Sequence, residues 1–219
     1  SLLGKKADRN ANKALQKLKI SSEQGNRYSS FLIGLLYETG EEIERDIKES
    51  FKYYDESLKQ GNSKGLLRIG HCYHSGTGVK QDYTKAREYF EKAAKLGDSD
   101  ALYDLGLLYI NGNGVKKDYT KAREILEKSA ELRNSDALCT LGFLYHDGVG
   151  IKKDYTKTRE YLEKSAELGN SEALYHLGLL YHDGKGVKQD YNKAREYFEK
   201  SAELDNSVAF YLLGRLYEN

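Results

Sequence analysis

The sequence predicts an all-α, right-handed solenoid of antiparallel helix pairs, and three observations predict it. One pattern restarts every 36 residues, at Asn26, Asn62, Asp98, Asn134 and Asn170, with no insertion between copies. Each copy carries two runs in which apolar residues recur three or four positions apart, the mark of two amphipathic helices. The chain also has no proline, so no helix interior is broken. A period of about 20 to 50 residues signals a stacked array, because one helix pair cannot bury its own apolar face whereas stacked pairs can.

Residues 1–25 read as the second half of a copy. Full copies follow at 26–61, 62–97, 98–133, 134–169 and 170–205, and residues 206–219 read as the first half of another. The whole of 1–219 is therefore read as a single repeat domain. In the copy from Asp98, Ala101, Leu102, Leu105, Leu108 and Tyr109 form one face of the first helix. Asp98 or Ser99 caps its start by accepting from a free backbone N–H. Ala122, Ile125, Leu126, Ser129 and Leu132 form the stripe of the second helix, which Asp118 caps. Glu124 and Lys128 stand at i,i+4 on the wet side, a spacing that favours an ion pair. Second helices end at Gly61, Gly97 and Gly169, a residue that accepts a left-handed terminus. Arg133 and Asp205 occupy that place in two copies, where a Cβ strains the same geometry.

Small residues recur for a packing reason. Gly70, Gly106, Gly142, Gly178 and Gly214 fall in mid-helix, where glycine costs about 1 kcal/mol relative to alanine. Keeping it in every copy predicts a neighbouring helix too close for a Cβ. Ala101, Ala137, Ala173 and Ala209 recur likewise, and Tyr73, Tyr109, Tyr145, Tyr181 and Tyr217 fill the space that remains.

Bulk composition excludes some partners. Thirty-five Lys and Arg oppose 34 Asp and Glu, so no net charge draws the chain to nucleic acid or an anionic membrane. No apolar run approaches the roughly 20 residues of a membrane span. Cys72 and Cys139 make no disulfide framework, which favours a reducing, cytoplasmic compartment by default. The chain opens on Ser1 rather than Met, which reads as an internal cut or a cloning remnant and leaves targeting unjudged. The half copies at both ends should expose apolar faces. That predicts a fragment of a longer protein, or end-to-end self-association.

The recurring pattern A-L-x-x-L-G-x-L-Y-x-x-G-x-G-V-x-x-D-Y-x-K-A-x-x-Y-x-x-K-A/S-A resembles the Sel-one-like repeat, a relative of the tetratricopeptide repeat. The resemblance covers five full copies and two half copies. Departures are local: Tyr89, Ile125, Tyr161 and Tyr197 stand where that family often has Trp, and Glu42 replaces the second loop glycine of the copy from Asn26. Nothing matches the cysteine-paired branch of the family. In the related tetratricopeptide repeats, first helices line an inner groove and their varying positions touch ligand. By that resemblance the partner-binding groove comprises Phe31, Leu35 and Glu38; Leu67, His71 and His74; Tyr103, Leu107 and Ile110; Cys139, Phe143 and His146; Tyr175, Leu179 and His182; and Tyr211 and Arg215. The large apolar members at helical spacing are as readily explained by packing between copies.

Two features invite a chemical reading. The Gly-x-Gly loops, such as Gly184-Lys185-Gly186, occur four times, follow a helix and lack the Lys-Ser/Thr that completes a phosphate loop. They read as turns at positive φ, with Val79, Val115, Ile151 and Val187 plugging the core. All five histidines lie in first helices, at positions that change from copy to copy. His146 and His182 are equivalent residues of adjacent copies, about 10 Å apart at helix-packing distance. With Asp147, Asp183 and Cys139 they raise the question of a metal or catalytic site, and His71 and His74 are three apart on one helix. However, no His-x-x-x-His spacing exists within a copy, and Cys139 lies two turns from His146, about 10 Å along the axis. No cofactor, metal or catalytic residue is assigned. The expectation is a non-enzymatic scaffold or adaptor that binds a peptide or protein along the groove. The alternatives are a structural spacer within a larger protein and, more remotely, a cryptic metal protein or enzyme. Nucleic-acid and membrane partners are not expected.

Overall fold

The structure is a computed structural model describing residues 2–40 and 43–217, with side chains described for 12–40 and 43–213. Among the described residues it holds twelve α-helices and no strand, an all-α repeat fold. The chain groups into two compact units, Ser1–Ala101 and Leu102–Asn219. The first contains α1 (Leu2–Glu23), α2 (Arg27–Thr39), α3 (Ile47–Lys59), α4 (Lys64–Ser75) and α5 (Tyr83–Lys95). Helix α6 (Ser99–Asn111) starts just before the second unit, which continues with α7 (Tyr119–Glu131), α8 (Ser135–Asp147), α9 (Tyr155–Glu167), α10 (Ser171–Asp183), α11 (Tyr191–Glu203) and α12 (Ser207–Tyr217).

The pair α8–α9 shows why two runs of sequence make an antiparallel hairpin. Asn134 caps α8 by accepting from Ala137 N, and Asp154 caps α9 by accepting from Thr156 N and Lys157 N. Near the loop, Asp154 N donates to Tyr145 O at 3.0 Å. At mid-length, Gly142 faces Leu162. At the open end, the buried Ser165 hydroxyl donates to Ser135 O at 2.7 Å. The pair α10–α11 repeats each contact: Asp190 N to Tyr181 O, Gly178 against Phe198, and Ser201 to Ser171 O. A serine is tolerated in this core because its hydroxyl is satisfied there.

The mid-helix glycine has the predicted cause, and the close neighbour is the second helix of the same copy. A Cβ on Gly178 would lie 2.5 Å from the Phe198 ring, and one on Gly142 would lie 3.0 Å from Leu162. The loop glycines Gly184 and Gly186 have φ of 68° and 71°. Gly184 ends α10 in the left-handed conformation, and a Cβ on Gly186 would run into Tyr155 of the preceding copy. The loop is thus both a corner and a contact between copies. Val187 packs beside Tyr181, Ala194 and Phe198.

Other expectations meet the structure in detail. Asp98 caps α6, accepting from Ala101 N at 3.0 Å, and Asp118 caps α7. Arg133 and Asp205 do adopt positive φ, 63° and 60°. The ion pair on α7 is not Glu124 with Lys128; Arg123 Nε approaches Glu127 at 3.6 Å instead. The copies agree on that choice, with Arg87–Glu91, Arg159–Glu163 and Arg195–Glu199. Tyrosines fill the site opposite the first-helix tyrosine as stacked pairs: Tyr145–Tyr161 at 5.6 Å and Tyr181–Tyr197 at 5.5 Å. A lysine lies over each inner ring, Lys157 at 5.0 Å and Lys193 at 4.6 Å, a cation–π contact.

Gly178→Ala should lower stability by about 1–3 kcal/mol, the usual cost of overpacking. Gly142→Ala should change it little, since its neighbour need give only a few tenths of an ångström and the helix gains propensity. Arg133→Gly should raise stability by about 0.5–1 kcal/mol by relieving the left-handed backbone. Urea unfolding followed by circular dichroism measures all three.

Candidate functional site

The second unit contains a cavity of about 360 Å³ between α8, α9 and α10. Its apolar wall is Phe143, Leu162, Leu179 and Leu180, and its polar wall is His146, Asp147, Thr158, His176, Asp183 and Lys185. Helical spacing places Phe143, His146 and Asp147 together on α8 and His176, Leu179, Leu180 and Asp183 on α10. Residues three and four apart share a helix face.

The space stays open because of residue choice at equivalent positions. One copy earlier, Ile110 and Val149 pack onto the cluster of Leu126, Ala137, Leu141 and Leu144. Here the residues in register with them are His146 and Lys185, whose polar ends stay at the rim, and Leu179 stands in register with the bulkier Phe143. Thr158, where the copies from Asn62, Asp98 and Asn170 have alanine, is buried and donates its hydroxyl to Asp154 O at 2.9 Å.

The polar groups are organised. A carboxylate can only accept, so His146 Nδ1–H donates to Asp147 Oδ1, at 2.7 Å. In a neutral ring this leaves Nε2 as an acceptor. His182 Nδ1 donates in the same way to Asp183 Oδ1 at 2.9 Å, and Lys185 Nζ approaches Asp183 Oδ2 at 2.9 Å. The His182 hydrogen bond first, and Lys185 second, hold the Asp183 carboxyl below the ordinary carboxylate range. The His176 ring meets Phe143 edge-on with centroids 4.4 Å apart. Burial pushes its pKa down to about 4, with His146 adding to the shift and Asp147 opposing it.

Of the seventeen groove residues expected from sequence, the structure brings Phe143, His146 and Leu179 to this cavity. His182 stands beside it, holding Asp183. Cys139 is a correction: its side chain is 2% exposed in the core with Leu162, Ala173, Leu177 and Leu180, and presents nothing to a partner. Tyr103 and Ile110 are half-buried against the preceding core, Leu107 is half-buried, and Tyr175 packs on Phe198. Tyr211 is exposed, and the Arg215 side chain lies outside the described residues. In the first unit Phe31 packs on Tyr54, whose hydroxyl donates to Glu38; Arg68 also reaches Glu38, at 3.4 Å. Leu35 and Leu67 are half-buried. His71 and His74 turn to different rings, Phe90 and Tyr83.

Sequence reasoning left His176, Asp147, Asp183 and Lys185 out of the groove. The available signal was that histidine and aspartate recur at equivalent places of two adjacent copies, where stacking brings them together. Among the described residues no group of three or more His, Cys, Asp or Glu is placed to hold a metal ion. Burial raises both thiols, Cys72 to about 11 and Cys139 well above its ordinary value, which suits neither to act as a thiolate nucleophile. No described helix is long and apolar enough to cross a membrane.

The Sel1 repeat family model matches residues 28–62, 63–98, 99–134, 135–170 and 171–206. The chain belongs to the Sel1 repeat family. Members of this tetratricopeptide-like family are generally non-enzymatic scaffolds for protein–protein interaction. A Sel1 repeat protein from Oxalobacter formigenes is similar in structure, with TM-score 0.87 and 31% identity over 99% of this chain and 90% of that one. So is c5321, a protective antigen present in uropathogenic Escherichia coli strains, with TM-score 0.78 and 31% identity; it covers all of this chain, which spans 48% of it. The immunity protein PA5088 from Pseudomonas aeruginosa matches 75% of this chain and 60% of its own length, with TM-score 0.55 and 25% identity. No curated protein sequence gives a significant match.

The depressed His176 pKa has a consequence for stability. The unfolded chain takes up a proton near pH 6.5, the ordinary histidine value, while the folded chain does so only near 4. Stability from this group is therefore full above 6.5 and falls as pH drops towards 4. His176→Phe should flatten the decline in urea midpoint between pH 7 and pH 4; an unchanged slope would mean the imidazole is not held neutral.

Proposed function

We propose that this Sel1 repeat chain is a scaffold that takes a protein or peptide segment on its first helices, anchored in the cavity between the copies from Asn134 and Asn170. The cavity carries this reading. It lies at the small end of the roughly 300–1,000 Å³ range of ligand sites, so it suits one side chain of a larger partner. Apolar surface on one wall and a few directed polar groups on the other is the usual composition of an anchor site. The variable positions of α8 and α10 would then distinguish partners.

A second reading concerns self-association. On α12, Val208, Phe210 and Tyr211 are 48%, 57% and 64% exposed. Leu138 and Leu174, in register with Phe210, are buried in the preceding copies. A second copy of the chain would cover that face. Sedimentation equilibrium should then show mass rising with concentration and falling on Phe210→Glu.

The main reading is tested with peptides selected from a displayed random library against the full chain. Leu179→Trp places a bulky ring in the cavity wall. It should weaken the selected peptides at least tenfold, with the helical circular dichroism unchanged. Peptides indifferent to Leu179→Trp would place binding elsewhere.

A further inference from the structure

We propose that the side chain this cavity takes is an arginine, so that the partner presents an exposed basic residue. The proposal rests on the binding reading above and specifies its chemistry.

The hydrogen-bonding inventory points to it. Asp147 offers a carboxylate whose Oδ1 accepts from His146 and which pairs with no described lysine or arginine. A neutral His146, with Nδ1–H committed to Asp147, has an accepting Nε2. The neutral His176 ring has one accepting and one donating nitrogen. Asp183 is already engaged on both oxygens, by His182 and Lys185. Lys185 gives one of its three donors to that pair, and the Thr158 hydroxyl donates to Asp154 O. Unused capacity in the wall is therefore mainly accepting. An occupant that completes it must be rich in donors, and a guanidinium has five donors and no acceptor.

Charge and shape agree. Two carboxylates against one ammonium leave the wall one negative charge when the imidazoles are neutral. The Phe143 ring and the leucines Leu162 and Leu179 offer an apolar surface for the methylene stem, while the charged head stays at the exposed Asp147. A flat guanidinium stacks on an aromatic face and is more weakly hydrated than an ammonium, so arginine should exceed lysine. A carboxylate-bearing side chain would meet Asp147 and Asp183 and be repelled.

The probe is acetyl-Gly-Gly-Arg-Gly-Gly-amide, titrated into the full ¹⁵N-labelled chain and followed by amide shifts. Control peptides carry citrulline, lysine, phenylalanine or glutamate at the same place. Citrulline keeps the shape of arginine and removes its charge. The expected result is saturable shifts confined to residues near 143–147 and 176–185 with the arginine peptide. The citrulline peptide should bind at least tenfold more weakly, as should the arginine peptide to Asp147→Asn. If phenylalanine saturates the same amides and arginine does not, the cavity is an apolar anchor site: the arginine assignment is overturned and the binding reading survives. Equal binding of citrulline and arginine overturns the charge argument and with it the proposal. If no peptide moves these amides, and library peptides are also indifferent to Leu179→Trp, both readings fall.

Discussion

Each hairpin depends on the close approach of a first helix, at its mid-length glycine, to a bulky side chain of the second. Phe90, Leu126 and Phe198 occupy the volume that a Cβ on Gly70, Gly106 or Gly178 would need, and Leu162 would lie 3.0 Å from one on Gly142. This contact fixes how near the two axes lie. The loop hydrogen bond, from Asp154 N to Tyr145 O in one copy, and the serine bond at the open end then hold both ends of the pair. In α8–α9 and α10–α11 the pair is thus held at three points, whereas the copy from Asn62 has Ala93 in place of the serine.

Stacking turns small differences in sequence into differences in surface. The loop glycine Gly186 lies against Tyr155 of the copy before it, as Gly150 lies against Tyr119, so these corners also set the positions of their neighbours. On that constant frame the space between consecutive first helices is decided by a few side chains. Ile110 and Val149 pack onto the apolar core in one interval. In the next, His146 and Lys185 keep polar ends at the rim and a cavity remains between them. At the cavity, His146 and Lys185 stand in register with the apolar Ile110 and Val149, and Leu179 with Phe143. That is how a repeat protein can diversify recognition without disturbing its core.

Much of the fold was legible in the sequence because it depends on local rules applied several times over. The Asn and Asp caps, the left-handed backbone at Arg133 and Asp205, the positive-φ corners and the mid-helix glycines are each set by one residue and its immediate neighbours. Repetition made each inference stronger, since an accident would not recur at a spacing of 36 residues. Local spacing failed where several partners were available. Glu124 and Lys128 have the right separation, but rotamer and neighbourhood select Arg123 with Glu127.

The sequence by itself determined the architecture of each copy, the all-α class and the face of the first helices on which copies differ. Only the tertiary structure decided which of those varying residues work together. Cys139 varies yet is buried, because the next copy's Ala173 and Leu177 close over it. His176 was left aside, yet it faces Phe143 from the adjacent helix and is kept neutral by burial. The reason is that a site between copies is built from residues of two different repeats, such as Phe143 and His176. Their side-chain volumes and hydrogen bonds decide whether the space fills or stays open, and no pattern within a single copy records that sum.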